Sequence, residues 1–257
     1  MRNFPPALAR LLCTAVPVAM IAAPSMAPGT VIDHAYQYKA CMALAKKAPQ
    51  EAFETALTWR GLGGGDAAEH CVAVALIGLG QHAKAAGRLE DLAGKAKQGA
   101  AIKAGLLAHA AQAWILAGRA MRAESILTVA LKLTPSDSAL MVDRAQARAG
   151  YRDYAGAVED LNKAIKLGGG EADAFVFRAS AYRHLDRLEL ALADIEKALA
   201  LEPTHLGGLL ERGILRRLRE DNDGARRDWL GILLTAPGSP AADAARQNLE
   251  SMDVKPD

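Results

Sequence analysis

The sequence predicts an all-α chain built as one array of stacked helix–turn–helix repeats, and three observations predict it. Alanine is the largest part of the apolar half of the 257 residues, and aromatic residues are only 5%. Alanine is the best helix former, and the β-branched and aromatic residues that a sheet needs are sparse. Columns of residues also recur every 34 positions: Ala123, Ala157, Ala191 and Ala225; Leu127, Leu161, Ile195 and Trp229; Ala130, Ala164, Ala198 and Ile232. Within each repeat the apolar residues fall three or four apart on both sides of a short break, which reads as helix, turn, helix.

Taken in chain order, residues 1–30 carry Arg2 and Arg10 and no acid, so the formal charge of +2 belongs to them and the remainder is balanced. A basic start, the apolar run Leu11 to Ala23 and the small or turn-forming stretch Pro24 to Gly29 make the three-part layout of a secretory signal peptide, about 1–27. The cut falls between 25 and 29, since Pro28 disfavours cleavage directly after Ala27. The run is too short for a helix crossing a bilayer of about 30 Å. Retention as a membrane anchor is the alternative. A lipoprotein site at Cys13 is a poor match. The hydrophobic fraction excludes a disordered chain, and the near-neutral charge argues against a nucleic-acid binder.

Removal of the leader leaves two cysteines, Cys41 and Cys71, both in apolar helical patterns. An even count in an exported chain suggests a disulfide. Two buried free thiols, or a redox or metal site helped by the adjoining His70, are the other readings. There is no CxxC pair and no second cysteine or histidine at ligand spacing beside either thiol.

From residue 104 the register is strict. Leu107, Met141, Phe175 and Leu209 form one upstream column, and Ala111, Ala145, Ala179 and Gly213 another. Pro135, Gly169, Pro203 and Pro237 close the repeats 104–137, 138–171, 172–205 and 206–239, where a helix must end. In 172–205 the helices run about Ala174 to Leu185 and Leu188 to Leu201, around the turn Asp186-Arg187. The small columns let two helix axes approach, and the large ones fill the space beside them.

This pattern resembles the tetratricopeptide repeat (TPR) family, strongly over 104–239 and more weakly before. The resemblance implies a right-handed α-solenoid. Residues 66–99 look like a diverged repeat, with Leu76 to Gly80 followed by Ala85 and Leu89. Residues 32–65 look like a more diverged first helix pair, ending in Gly63-Gly64-Gly65 at an inter-repeat turn. The interval from Gly80 to Gly118 is 38 residues, which places about four extra residues near Gln98 to Ala101. The family's turn glycine survives at Gly118 and becomes Arg152, Asp186 and Glu220 later. A helix over 240–252, with Ala241, Ala245 and Leu249 on one face, would cap the last repeat.

A polar column set stands where the family more often has an apolar residue. Arg144, Arg178 and Arg212 recur with Asp160, Asp194 and Asp228, always 16 residues apart. These are expected as Arg–Asp pairs within a repeat or with its neighbour, worth about 0–1 kcal/mol if exposed.

Catalytic chemistry finds no foothold. Neither glycine cluster is followed by the Lys-Ser or Lys-Thr of a phosphate loop, and HExxH, GxSxG and kinase sets are missing. His34, His70, His82, His109, His184 and His205 are scattered one per helix or turn. No catalytic residue, cofactor or metal is assigned, and the chain is not expected to be an enzyme.

The resemblance places the working surface on the concave face, built from the first helix of each repeat. The exposed residues expected there are His109, Gln112, Asp143, Gln146, Phe177, Ser180, Arg183, His184, Glu211, Ile214 and Arg217, mixed in character, with a basic patch of Arg183, His184 and Arg217 around Phe177. The family's Lys and Asn pattern for a C-terminal carboxylate is not present. The expected partner is another protein, as an extended peptide or helix in this groove. No nucleic acid is expected, and a membrane only if the N-terminal segment is retained. The function expected is a scaffold or adaptor in the periplasm or cell envelope. The alternative is a structural accessory subunit of an envelope assembly, held at the membrane by an uncleaved leader.

Overall fold

The computed structural model describes residues 32–97, 99–168 and 171–253; the leader therefore lies outside the described residues. Every regular element among these is helical: α1 His34–Lys47, α2 Pro49–Trp59, α3 Gly65–Gly78, α4 His82–Lys95, α5 Ala100–Leu116, α6 Ala120–Leu133, α7 Ser138–Gly150, α8 Tyr154–Lys166, α9 Ala172–His184, α10 Leu188–Leu201, α11 Leu206–Leu218, α12 Asn222–Thr235 and α13 Pro240–Asp253. Each helix packs on the next. The odd-numbered helices also touch across repeats, α1 on α3, α5 on α7, α7 on α9, α9 on α11 and α11 on α13. That is the stacking of an α-solenoid, in which each repeat buries its apolar face against its neighbours.

The alanine columns explain the close approach. Ala111, Ala145 and Ala179 on the first helices and Ala123, Ala157, Ala191 and Ala225 on the second are all fully buried, beside Leu127, Leu161, Ile195 and Trp229. Gly213 completes the first column because Trp229 fills its space: a Cβ there would sit 2.2 Å from the indole Nε1.

The turn inside each repeat has one geometry five times over. In the α5–α6 turn the Arg119 N–H donates to Trp114 O (2.8 Å) and the Gly118 N–H to Ile115 O (2.9 Å). Matching bonds run from Gln81 to Leu76, Asp153 to Arg148, Arg187 to Tyr182 and Asp221 to Arg216. This closure needs one left-handed residue. Gly80 and Gly118 supply it freely, while Arg152, Asp186 and Glu220 are held there at φ of 70°, 58° and 66°. Loss of the family glycine thus leaves the backbone unchanged and transfers strain to three side-chain-bearing residues.

The extra residues expected near Gln98 to Ala101 fall at the start of α5 and extend it to 17 residues, against 13 in α7, α9 and α11. At the first glycine cluster the chain leaves helical geometry at Leu62 and Gly63 and kinks between α2 and α3, with Gly63 at φ 90°, close to the 91° of Gly168 at the other cluster, as expected of an inter-repeat turn. In α13 it is Ala242 with Ala245 that is fully buried, while Ala241 and Leu249 flank them.

At the α1 end, Cys41 and Cys71 form a disulfide that fastens α1 to α3, with Cα atoms 6.2 Å apart. Both cysteines are buried.

Candidate binding groove

The Arg–Asp columns are built as bidentate pairs. Arg144 donates to Asp160 through Nε (2.8 Å) and Nη2 (2.7 Å), Arg178 to Asp194 (2.6 and 2.7 Å) and Arg212 to Asp228 (2.9 and 2.6 Å). Remaining donors reach back one repeat, Arg144 to Thr128 Oγ1 (3.2 Å) and Arg178 to Asn162 Oδ1 (2.7 Å). Each guanidinium therefore ties the two helices of its repeat together, and two of them also tie it to the one before. Arg148 and Arg216 add second contacts to Asp160 (3.2 Å) and Asp228 (2.7 Å). The carboxylates are buried, so the pairs are not exposed ones: removing one partner strands a buried charge, at a cost of about 3–5 kcal/mol. Their hydrogen bonds to these carboxylates push all three arginines up from the ordinary value.

Three groups that the sequence scatters meet near the disulfide. Tyr38 Oη lies 2.7 Å from His70 Nδ1, and His70 Nε2 lies 2.8 Å from His109 Nδ1, linking α1, α3 and α5. A phenol donating to Nδ1 fixes the hydrogen of His70 on Nε2, which then donates to His109, so the chain is satisfied with both imidazoles neutral. Burial, then the neighbouring His109, lowers the His70 pKa to about 4; burial also lowers that of His109. His109 is accordingly a half-buried bridge and not an open groove residue. The spacing of 39 residues matches no repeat multiple, because the extra turn of α5 displaces it. Allowing for that turn is the one sequence signal that would have brought the two histidines together.

Further along the first-helix face, two cavities adjoin. One, of about 320 Å³, lies between α5, α7 and α9 and is lined by Gln112, Asp143, Gln146 and Phe177 with Ser138, Val142, Glu171 and Asp173 among its walls. The next, of about 270 Å³, shares Gln146 and Phe177 and continues to Ser180, Tyr154 and His184, whose ring stacks on Tyr154 at 4.3 Å. Gln146 and Phe177 thus belong to the walls of both. Asp143 has its pKa raised to about 6, chiefly by burial, with Gln112 hydrogen-bonded to it and Asp137 nearby.

The other expected groove residues are spent internally. Glu211, expected exposed, is buried, and its carboxylate accepts from Arg183 Nε at 2.5 Å and Nη2 at 3.3 Å. The reason is reach: Arg183 extends from α9 across to α11 and neutralises the acid. Arg217 donates to Ser251 Oγ on α13 at 2.7 Å, and Ile214 packs in the Trp229 cluster. The basic patch expected around Phe177 is therefore largely engaged in holding helices together, and the groove narrows to Gln112, Asp143, Gln146, Phe177, Ser180 and His184. A larger opening of about 880 Å³, lined by Met121, Arg122, Ile126, Val129 and Tyr151 among others, lies against α6 and was not singled out by the sequence. Among the described residues no group of three or more His, Cys, Asp or Glu is placed to hold a metal ion, and no helix is long and apolar enough to cross a membrane.

Residues 172–205 match the tetratricopeptide repeat family. The mouse (Mus musculus) protein Sperm-associated antigen 1 is 38% identical over 61 residues, which are 24% of this chain and 7% of that protein. The Bos taurus Tetratricopeptide repeat protein 36 is 39% identical over 81 residues, 30% of this chain and 43% of that protein. The chain thus spans less than half the length of either relative. The structure of TTC0263, a thermophilic TPR protein of Thermus thermophilus, superposes with a TM-score of 0.63 at 18% identity, covering 74% of this chain and 100% of that one. The protein has the tetratricopeptide-repeat α-solenoid fold.

Proposed function

We propose that the protein is a non-catalytic scaffold that binds an extended segment of another protein across the first-helix face of α5, α7 and α9. The observation that carries this reading is the pair of adjoining cavities that share Gln146 and Phe177 as walls. Side chains two residues apart on an extended strand project to the same side, so a partner segment can seat successive residues on either side of one ring. We further infer that it works outside the cytoplasm, in the periplasm or cell envelope. The three-part leader pattern supports this, as does the Cys41–Cys71 disulfide, a bond that persists in oxidising compartments.

A photo-crosslinking amino acid at Ser180 tests the docking face, with the same group at Glu196 on α10 as control. A partner adduct from Ser180 that Glu196 does not give is the expected result; equal adducts from both, or adducts from Glu196 alone, would overturn it. The intact mass of the native protein under non-reducing conditions tests export, since a full-length mass rejects a processed leader.

A further inference from the structure

We propose that the cavity between α5, α7 and α9 receives a lysine or arginine side chain of the partner segment, with the Asp143 carboxylate as the anchor and Phe177 as the surface for its apolar stem. This rests on the reading of that face as the docking surface, and it names the chemistry of the residue that enters.

The buried acids among the described residues are all covered by arginine. Asp160, Asp194, Asp228 and Glu211 each meet an arginine at 2.5 to 2.9 Å. Asp143, which is half-buried, is handled differently. Its neighbours are the Gln112 amide, which hydrogen-bonds to it, and Asp137, which has the same charge sign. The groups facing the cavity are Gln112 from α5, Ser138, Asp143 and Gln146 from α7, and Glu171 and Asp173 with Phe177 at the start and on the body of α9. Its lining contains carboxylates and amides and neither lysine nor arginine. Asp173 faces His205 at 3.0 Å and is largely exposed, so Asp143 is the deeper acid.

A carboxylate held partly away from water, beside a like charge and without a cation, is disfavoured in its ionised form. The burial that raises the Asp143 pKa expresses this. A cation brought by a partner regains the lost solvation, and the Phe177 ring is suited to the methylene stem and to cation–π contact. The volume is at the small end of ligand sites, right for one side chain and too small for a helix. A divalent metal fits less well, because Phe177 and Val142 make two walls apolar and hard cations take six or more oxygens.

The test uses the full chain and two labelled heptapeptides, Gly-Ala-Ala-Lys-Ala-Ala-Gly and its norleucine counterpart, compared by NMR titration at pH 7.5. The lysine peptide is expected to bind at least about tenfold more tightly than the norleucine peptide, and Asp143→Asn to remove that difference, as expected for loss of a charge-assisted bond. Thermal melts of the variant check that it folds. Phe177→Leu gives a second reading, with affinity for the lysine peptide reduced while the preference over norleucine remains. Equal binding of both peptides, or a preference unchanged in Asp143→Asn, overturns the proposal; so does a response to calcium alone. The Ser180 crosslink reports separately on docking. An adduct with a natural partner alongside indifference to lysine defeats the cation site only, and lysine selectivity without any Ser180 adduct defeats the docking face only.

Discussion

Gly213 on α11 and Trp229 on α12 are a matched pair: the glycine has no side chain because the indole occupies the place where one would start, and Trp229 Nε1 donates to Leu210 O at 3.3 Å. The equivalent pairs one and two repeats earlier are Ala179 with Ile195 and Ala145 with Leu161. The column thus trades volume between its two members at each level.

Gly213→Ala is therefore expected to lower stability by about 1–3 kcal/mol through overpacking. Adding Trp229→Leu restores the alanine–leucine pairing of the 138–171 repeat. The double variant should then be markedly more stable than the sum of the two single losses predicts. Denaturant melts of the four proteins measure the coupling, and additive losses would contradict the pairing.

The left-handed turn residues give a prediction of opposite sign. Arg152, Asp186 and Glu220 occupy a conformation that costs a side-chain-bearing residue about 1–2 kcal/mol, against which glycine loses about 0.5–1 kcal/mol in unfolded-state entropy. Each change to glycine should raise stability by roughly 0.5 kcal/mol, and the triple variant should show a higher Tm. A lowered Tm in the triple variant would mean that these side chains contribute contacts that outweigh the strain.

Breaking an ion pair should be costly whichever member is removed. Asp194→Ala leaves Arg178 facing a hole between α9 and α10, with an expected loss of about 3–5 kcal/mol. The same change at Asp243, which pairs with Arg246 on the exposed face of α13, should alter stability by less than about 1 kcal/mol. Urea melts compare the two.

Stability should also depend on pH through two groups with opposing signs. His70 binds its proton less readily in the fold than in the unfolded chain, so its contribution is complete above about 6.5 and is lost as pH falls towards about 4. The loss is on the order of 3 kcal/mol. Tyr38, His109 and Asp66 are the titratable groups around it. Asp143, whose pKa is raised, holds its proton more tightly in the fold, so stability declines as pH rises from the unfolded value of about 4 through about 6. His70→Gln should flatten the acid limb. Asp143→Asn should raise stability at pH 7.5 by about 1–2 kcal/mol and change nothing at pH 4, which thermal melts at the two pH values measure.

The repeat architecture was legible because it is written in spacing. A 34-residue period with small and large columns requires only that equivalent residues have equivalent surroundings, and it locates helices, turns and the Arg–Asp pairs without reference to any single contact. The state of the groove was not legible in that way. Arg183 reaches Glu211 over 28 residues and His70 reaches His109 over 39, and neither interval is a multiple of the period. Long side chains and one extra helical turn decide such contacts, so a surface read by column alone assigned free charge to Arg183 and exposure to Glu211. The burial of Asp160, Asp194 and Asp228 escaped for a related reason, since an aspartate in a sequence carries no mark of whether an arginine covers it.

The Cys41–Cys71 bond also has a mechanical meaning. A linear array of repeats opens from its ends, and one end here is locked across α1 and α3, a constraint worth about 3–4 kcal/mol in the chain-entropy treatment of a loop this long. No such bond crosses to α13, which is fastened to the preceding repeat by Arg217–Ser251, Arg226–Asp253 and a small apolar cluster. Reduction would remove that constraint, so α1 could then separate from α3 without the rest of the array opening.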